Sequence, residues 1–286
     1  MNERLQVRKT YKLYIGGEFP RSESGRVFEV HAADGQFLTN MAKASRKDAR
    51  DAVLAARKGF NSWSAASAYN RGQVMYRIAE VMEGRSVQFV DELRLLGGGS
   101  EKKARLEVER AIDRMVWYAG WADKLAQVVG TSNPVAGPYF NFSIPEPTGI
   151  VVAAAPAKPA LLGLINVLAQ IIVSGNSSII VASQSQPIVA ITLAEVLESS
   201  DVPAGAINIL TGDAAEILPW LASHADVNAL DLSGVADPQL AIELEREAAG
   251  TLKRVLRSSA QAEDVPSLQQ MTSFLEIKTV WHPMGL

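Results

Sequence analysis

Two short runs of small or apolar residues limit what this chain can fold into. They read IVVAAA at 150–155 and SSIIVA at 177–182, and apolar residues do not alternate with charged or large polar ones in either run. A strand of this kind must be covered on both faces, which is typical of a parallel sheet between two helical layers. Periodicity and turn residues together predict strands at 150–155, 178–182, 206–210 and 227–232, with helices at 160–173, 187–199 and 213–223 between them.

The fold class that follows is α/β, with a Rossmann-like parallel sheet flanked by helices over residues 148–258. The turn between the first strand and the first helix reads Pro156-Ala157-Lys158-Pro159-Ala160. In open α/β sheets, ligands bind at the carboxyl ends of the strands. This turn is therefore the first place to look for a nucleotide.

Residues 1–130 are predicted to form a hairpin and several helices that pack on this core. The hairpin is expected within 11–30. Ser45 is a suitable N-cap and Asp48 supplies the acid of a capping box. Apolar spacing predicts helices at 45–60, two within 71–98, and one long helix over 100–126 whose apolar side includes Leu106, Ile112, Met115, Val116, Trp117 and Trp121.

The remaining segments differ in character from the core. Residues 131–147 are proline-rich and extended, and 271–286 are β-rich, so together they are predicted to form a small β arm. A polar linker is expected at 259–270. We expect four apolar side chains of the arm to be exposed, namely Phe274, Ile277, Val280 and Trp281.

Composition narrows the function classes. A net charge of −3 over 286 residues argues against nucleic acid as a partner. Polar residues interrupt the charge-free stretch 159–194, so no membrane span is predicted. The chain has no cysteine, which fits a cytoplasmic location. The three histidines, His31, His224 and His282, lack ligand spacing, so no metal site is predicted.

Several segments resemble the aldehyde dehydrogenase family and occur in that family's order. Each segment is short, but the order in which they occur along the chain is specific. The N-terminal ones are IGGEFPRSESGRVFEV at 15–30 and AARKGF at 55–60 before Ser62-Trp63. The others are YAGWADK at 118–124, EPTGIV at 146–151, SGN at 174–176, VPAGAIN at 202–208 and EIKTVW at 276–281.

The departures from the family concern its cofactor and oxyanion contacts. The family turn P-W-N-F-P places an asparagine amide at the developing oxyanion, whereas Ala157 and Lys158 stand here after Pro156. The family's K-P-S-E, which holds the adenosine ribose, is replaced by 181–184, VASQ. Its F-T-G-S-T-x-x-G turn keeps one glycine at 232–239. The resemblance thus implies a vestigial cofactor site at Pro156, Ala157, Lys158, Val181, Gln184, Gly212, Ser233 and Gly234.

The resemblance implies no catalytic residue. The family's nucleophile is a cysteine, and this chain has none. Its general base lies in E-L-G-G-K, which aligns with 258–262, SSAQA. Where family members insert a catalytic domain, only a short linker separates Leu256 from Phe274. In this respect the chain resembles the truncated second unit of fused, two-unit aldehyde dehydrogenases.

The expected function is therefore a non-catalytic aldehyde-dehydrogenase-like subunit, structural or regulatory. It would assemble with itself or with a full-length aldehyde dehydrogenase, through the β arm as an oligomerisation element. Two alternatives stay open: an NAD(P)-dependent aldehyde oxidoreductase with residual activity, and a stand-alone nucleotide-binding sensor. No cofactor is expected. NAD remains an option because the helix after Pro159 offers backbone N–H groups to a phosphate.

Overall fold

The computed structural model describes residues 9–257 and 265–285. Its strands are β1 (Val27–His31), β2 (Phe37–Ala42), β3 (Thr131–Asn133), β4 (Tyr139–Pro147), β5 (Ile150–Ala154), β6 (Ser177–Val181), β7 (Ile207–Leu210), β8 (Ala229–Asp231), β9 (Arg254–Leu256) and β10 (Leu275–Pro283). Its helices are α1 (Arg46–Ala65), α2 (Ala68–Gly84), α3 (Ser86–Gly97), α4 (Glu101–Ala119), α5 (Leu125–Val129), α6 (Ala160–Ile172), α7 (Pro187–Glu198), α8 (Ala214–Ser223), α9 (Pro238–Ala249) and α10 (Leu268–Thr272).

The central sheet has the strand order β7-β6-β5-β8-β9, and every neighbouring pair is parallel. All residues of β5 and β6 are buried, as the unalternating sequence runs predict. The predicted α/β class with a Rossmann-like sheet is confirmed. The strand β9 was not predicted, because its three residues carry too little pattern to be recognised in the sequence.

The side chains of the sheet divide between two hydrophobic layers. Val151, Ala153 and Ile180 point into one layer, with α6, α7 and the N-terminal helices α2–α4. Val152 and Ile179 point into the other, with α1 and α8. Successive residues of a strand face opposite sides of its sheet, so every position of β5 and β6 must be apolar or small. None of the helices in the described ranges is long and apolar enough to cross a membrane.

Within 11–30 the chain makes a tight antiparallel turn, in which Ile15 and Glu18 exchange backbone hydrogen bonds of 3.0 and 3.1 Å. The longer hairpin lies later in the chain. The antiparallel pair is β1 with β2, at 27–42. The earlier segment instead lies along the edge of the central sheet, where Tyr14 and Ile209 exchange backbone hydrogen bonds of 3.0 and 2.8 Å. The predicted pairing of the first strand with the segment after SESG was wrong, because a short strand signal does not reveal its partner, and Tyr14 bonds instead to the distant strand β7.

The N-terminal helices follow their local signals with one exception. The capping box at the start of α1 is present, since Ser45 N–H donates to Asp48 Oδ2 at 2.8 Å and Asp48 N–H donates to Ser45 Oγ at 3.3 Å. The single helix expected over 100–126 is two helices, α4 and α5, separated near Gly120. Leu106 and Val116 are exposed rather than on the apolar side.

The segments predicted to form a β arm contain a three-stranded antiparallel sheet with the order β10-β4-β3. Of the four side chains expected to be exposed there, Ile277 and Trp281 are 55% and 58% exposed, and Val280 is half-buried. Phe274 is fully buried. The expectation for Phe274 was wrong because this residue precedes the strand and joins the main core. The helix α10 begins inside the expected linker, and 258–264 lie outside the described residues.

A glycine in α1 sets the distance between that helix and the sheet. A Cβ added to Gly59 would lie 2.2 Å from Ala206 N, so the helix touches the start of β7 backbone to backbone. A Cβ added to Gly84, also helical, would meet nothing within 4 Å.

We expect Gly59→Ala to lower the free energy of unfolding by about 2 kcal/mol or more, since either the helix or the strand must shift. Gly84→Ala should leave the stability unchanged or raise it by up to ~1 kcal/mol, because alanine is the better helix former. Urea unfolding of both variants measures the difference. Equal effects of the two substitutions would contradict the close packing of α1 on the sheet.

Candidate functional site

The candidate site is the turn between β5 and α6. Pro156 and Pro159 are half-buried, whereas Ala157 and Lys158 are exposed. A Cβ added to Gly163 would lie 2.5 Å from Pro156 Cγ, so the proline packs directly on the first turn of the helix. Pro156 thus holds the turn against α6, and the exposed tip carries Lys158 at the position where the turn of the similar family has an asparagine.

The start of α6 is already occupied by a carboxylate of this chain. Leu161 N–H donates to Glu107 Oε1 at 2.8 Å, and Leu162 N–H donates to the same oxygen at 3.4 Å. The N-cap position is Pro159, which provides no side-chain cap. Glu107 reaches over from α4 to satisfy these orphan donors. Two of the N–H groups that the sequence analysis offers to a phosphate therefore already have an acceptor within the chain.

The turn after β8 lies directly beside the first turn, because β8 pairs with β5. A Cβ added to Gly234 would lie 2.4 Å from both Ala154 O and Ala155 C. Only glycine fits against the end of β5 at this distance. The structure therefore brings Ser233 and Gly234 together with Pro156, as a cofactor cradle requires.

The polar groups of Ser233 are also satisfied internally. Its backbone N–H donates to Asp231 Oδ1 at 2.9 Å, and its hydroxyl donates to the same oxygen. The second oxygen of Asp231 accepts from the Gln170 amide of α6. Asp231 is fully buried, and this burial raises the pKa of its carboxyl from 3.8 to about 6. The carboxylates of Glu107 and Asp231 thus accept hydrogen bonds at the two places next to the end of β5, the start of α6 and the turn after β8.

The remaining predicted positions lie further along the sheet. Val181 is buried at the end of β6, and Gln184 is exposed in the loop that follows. Gly212 follows β7, two strands away from β5. A Cβ on it would meet Ala44 N at 3.2 Å, and its φ is +136°. Gly212 therefore allows the close passage of the segment before α1, and the structure does not bring it to the turn.

A cleft next to the start of α6 has a volume of about 430 Å³. Three of its six lining residues are charged, and Arg114 among them donates to Asn166. Within the described ranges, no group of three or more histidine or acidic side chains could hold a metal ion. The aligned base segment, 258–262, lies outside the described residues. The cleft is lined by Arg110, Asp113, Arg114, Trp117, Leu162 and Pro266.

Sequence reasoning missed both carboxylates. Glu107 lies in a charged helix, where nothing in the pattern distinguishes it from its exposed neighbours. The sequence does carry a signal for Asp231. An acid within the apolar strand segment ALDL requires a buried hydrogen-bond partner.

Comparison with known proteins agrees with this architecture. The sequence model of the aldehyde dehydrogenase family matches residues 19–258. Human retinal dehydrogenase 2 is 31% identical over 259 residues, which are 88% of this chain and 48% of that protein. The chain belongs to the aldehyde dehydrogenase family. It spans about half the length of the curated relatives it matches.

Solved aldehyde dehydrogenase structures share the fold. HpcC of Thermus thermophilus superposes with a TM-score of 0.82 at 27% identity, covering 87% of this chain and 48% of that chain. An aldehyde dehydrogenase of Bacillus cereus, solved as a complex with NAD+, gives 0.82 at 22% identity, covering 87% and 50%. The matched half therefore retains the family's fold although the turn residues differ.

Removing the carboxylate at the start of α6 tests its role as a cap. We expect Glu107→Ala to lower the free energy of unfolding by about 1 kcal/mol, because two helix N–H groups lose their acceptor. Inorganic phosphate should then stabilise this variant more than the wild type. Glu109→Ala, an exposed position on the same helix, is the control for loss of charge. An equal effect at both positions in thermal or urea unfolding would contradict the capping role.

The buried acid should make stability depend on pH. Because the pKa of Asp231 is higher in the folded chain than in the unfolded chain, the folded state retains the proton longer. Stability from this group is therefore full below about pH 4 and falls until about pH 6, by up to ~3 kcal/mol. Asp231→Asn should remove this loss, whereas the exposed control Asp123→Asn should retain it. Urea unfolding at several pH values measures the difference, and parallel curves for Asp231→Asn and wild type would contradict it.

Proposed function

We propose that this chain is a non-catalytic subunit of the aldehyde dehydrogenase family, with a structural or regulatory role. The observation that carries the proposal is the site itself, where Glu107 and Asp231 satisfy donors that would otherwise face a ligand. A phosphate there would have to displace a carboxylate of the chain. That exchange gains little, since each donor already has a charged acceptor.

The chemistry of the family supports the same proposal. Hydride transfer from an aldehyde through a covalent thiohemiacetal requires a cysteine nucleophile, a base and an oxyanion donor. The chain has no cysteine, and Lys158 stands at the place of the donor amide. An exposed lysine on a turn cannot reproduce a neutral amide held at a fixed angle.

Assembly is the second part of the proposal. The arm exposes Tyr139, Phe140, Ile277 and Trp281 on a thin sheet, with exposed fractions of 43–58%. Tyr139, Ile277 and Trp281 lie on the same face of this sheet, and apolar side chains grouped in this way mark interaction surfaces. The subunit would bind through this arm to its own copy or to a full-length aldehyde dehydrogenase in the cytoplasm.

Absorbance at 340 nm with an aldehyde panel and either NAD or NADP tests the catalytic part. We expect no nucleotide reduction above that of heat-treated protein, and a full-length aldehyde dehydrogenase in the same cuvette serves as the positive control. Lys158→Asn should stay inactive too, because the amide alone provides no nucleophile. Turnover by the wild type would overturn the proposal.

Calorimetry with NAD, NADP and ATP separates the proposed subunit from a nucleotide sensor. We expect no heat of binding at millimolar ligand for the wild type, because the donors of the two turns are already satisfied. Saturable heat from any of the three, without turnover, would favour the sensor instead.

A further inference from the structure

The outer edge of the arm is the strand β10. It pairs with β4 on its inner side, and no other described residue pairs with it. An unpaired edge of nine residues presents a row of backbone donors and acceptors on which another strand can add. Its side chains are exposed along almost the whole length, from Glu276 to Pro283.

Two hydrogen bonds fix which backbone groups face outward. Thr148 N–H donates to Phe274 O at 3.2 Å, and Met284 N–H donates to Pro138 O at 2.8 Å. The register between these two bonds has no bulge. Because bonded and non-bonded pairs alternate along antiparallel strands, the even-numbered residues of β10 bond to β4. The odd-numbered residues therefore turn their N–H and C=O groups outward, with Thr279 at their centre.

We propose that β10 pairs with β10 of a second copy, antiparallel, about a two-fold axis at Thr279. The proposal rests on the assembly proposed above and names its partner. In this register Thr279 lies opposite Thr279, and Ile277 lies opposite Trp281 of the second copy. All of these are outward-facing residues, so they form about six hydrogen bonds. The arms of the two copies join into one continuous sheet.

The side chains are self-complementary in the same register. Ile277 and Trp281, each more than half exposed, become cross-strand neighbours. Tyr139 lies edge-on to Trp281, with ring centroids 5.8 Å apart, and extends the apolar contact. Lys278 falls opposite Val280 and Glu276 opposite His282, so no like charges meet.

A two-fold axis at another outward-facing residue would pair a shorter part of β10 with the second copy. An axis at Ile277 would limit the pairing to 275–279, because the chain before Leu275 turns into the buried Phe274. An axis at Trp281 would place Pro283, which has no N–H, opposite Thr279. The axis at Thr279 is the one that uses the strand from end to end.

A cysteine placed at the axis tests this register directly, because the chain has no other cysteine. In a bonded antiparallel pair the Cα atoms are about 5.5 Å apart, within disulfide range. Under oxidation we expect Thr279→Cys to form a covalent dimer on a non-reducing gel. The matched control is Ile277→Cys. Its two cysteines would lie four residues apart, about 13 Å, so this variant should run as a monomer on the same gel.

Sedimentation of the full chain provides a second measurement. We expect the wild type and Thr279→Val to sediment as dimers, and Thr279→Pro as a monomer, because proline removes an outward N–H without breaking a backbone hydrogen bond to β4. Both substitutions remove the side-chain hydrogen bond between Thr279 and Ser143 of β4, so Thr279→Val controls for its loss. A monomeric wild type, or equal crosslinking of Ile277→Cys and Thr279→Cys, would overturn the self-pairing. Neither result would alter the absence of turnover on which the non-catalytic proposal is tested.

Discussion

Burial of both faces of the strand pair β5–β6 is the constraint on which the rest of the structure depends. Since neither face can meet water, one layer of helices must cover each side. The helices α6 and α7 provide one layer and α1 with α8 the other. The close approach at Gly59 is a consequence, because a larger residue would hold α1 away from the sheet. The positions of the two turns beside β5 follow from the same packing.

Those turns also combine close packing against β5 and α6 with hydrogen-bond donors that are satisfied from within the chain. Gly234 allows a close backbone approach to the end of β5, and Gly163 allows the ring of Pro156 to pack on α6. The carboxylates of Glu107 and Asp231 accept the hydrogen bonds that a buried donor requires. A buried N–H group without a partner is costly, so this arrangement stabilises the fold in the absence of any ligand. The donors at these turns therefore have acceptors within the chain itself.

The elements with strong local patterns were predicted closely. The strands and helices between 150 and 232 lie within one or two residues of their predicted bounds, because long apolar segments between turn signals leave little choice. The capping box at Ser45 was predicted because its signal, a serine followed three residues later by an acid, is also local. The hairpin was misplaced because strand pairing is a long-range property. Phe274 was misjudged because exposure depends on what the rest of the chain places over a residue. In the candidate site, the predicted turn and Ser233-Gly234 come together, but Gly212 does not.

The sequence by itself determined the fold class, the family and the lack of a cysteine nucleophile, since these follow from pattern and composition. Only the tertiary structure decided what occupies the retained turns. Glu107 is more than fifty positions from the N–H groups of Leu161 and Leu162 in the chain, and no local rule connects them. Pairing with β4 likewise decided which residues of β10 turn their backbone N–H and C=O groups outward. Contacts between distant segments depend on how whole elements pack, and local sequence does not encode that packing.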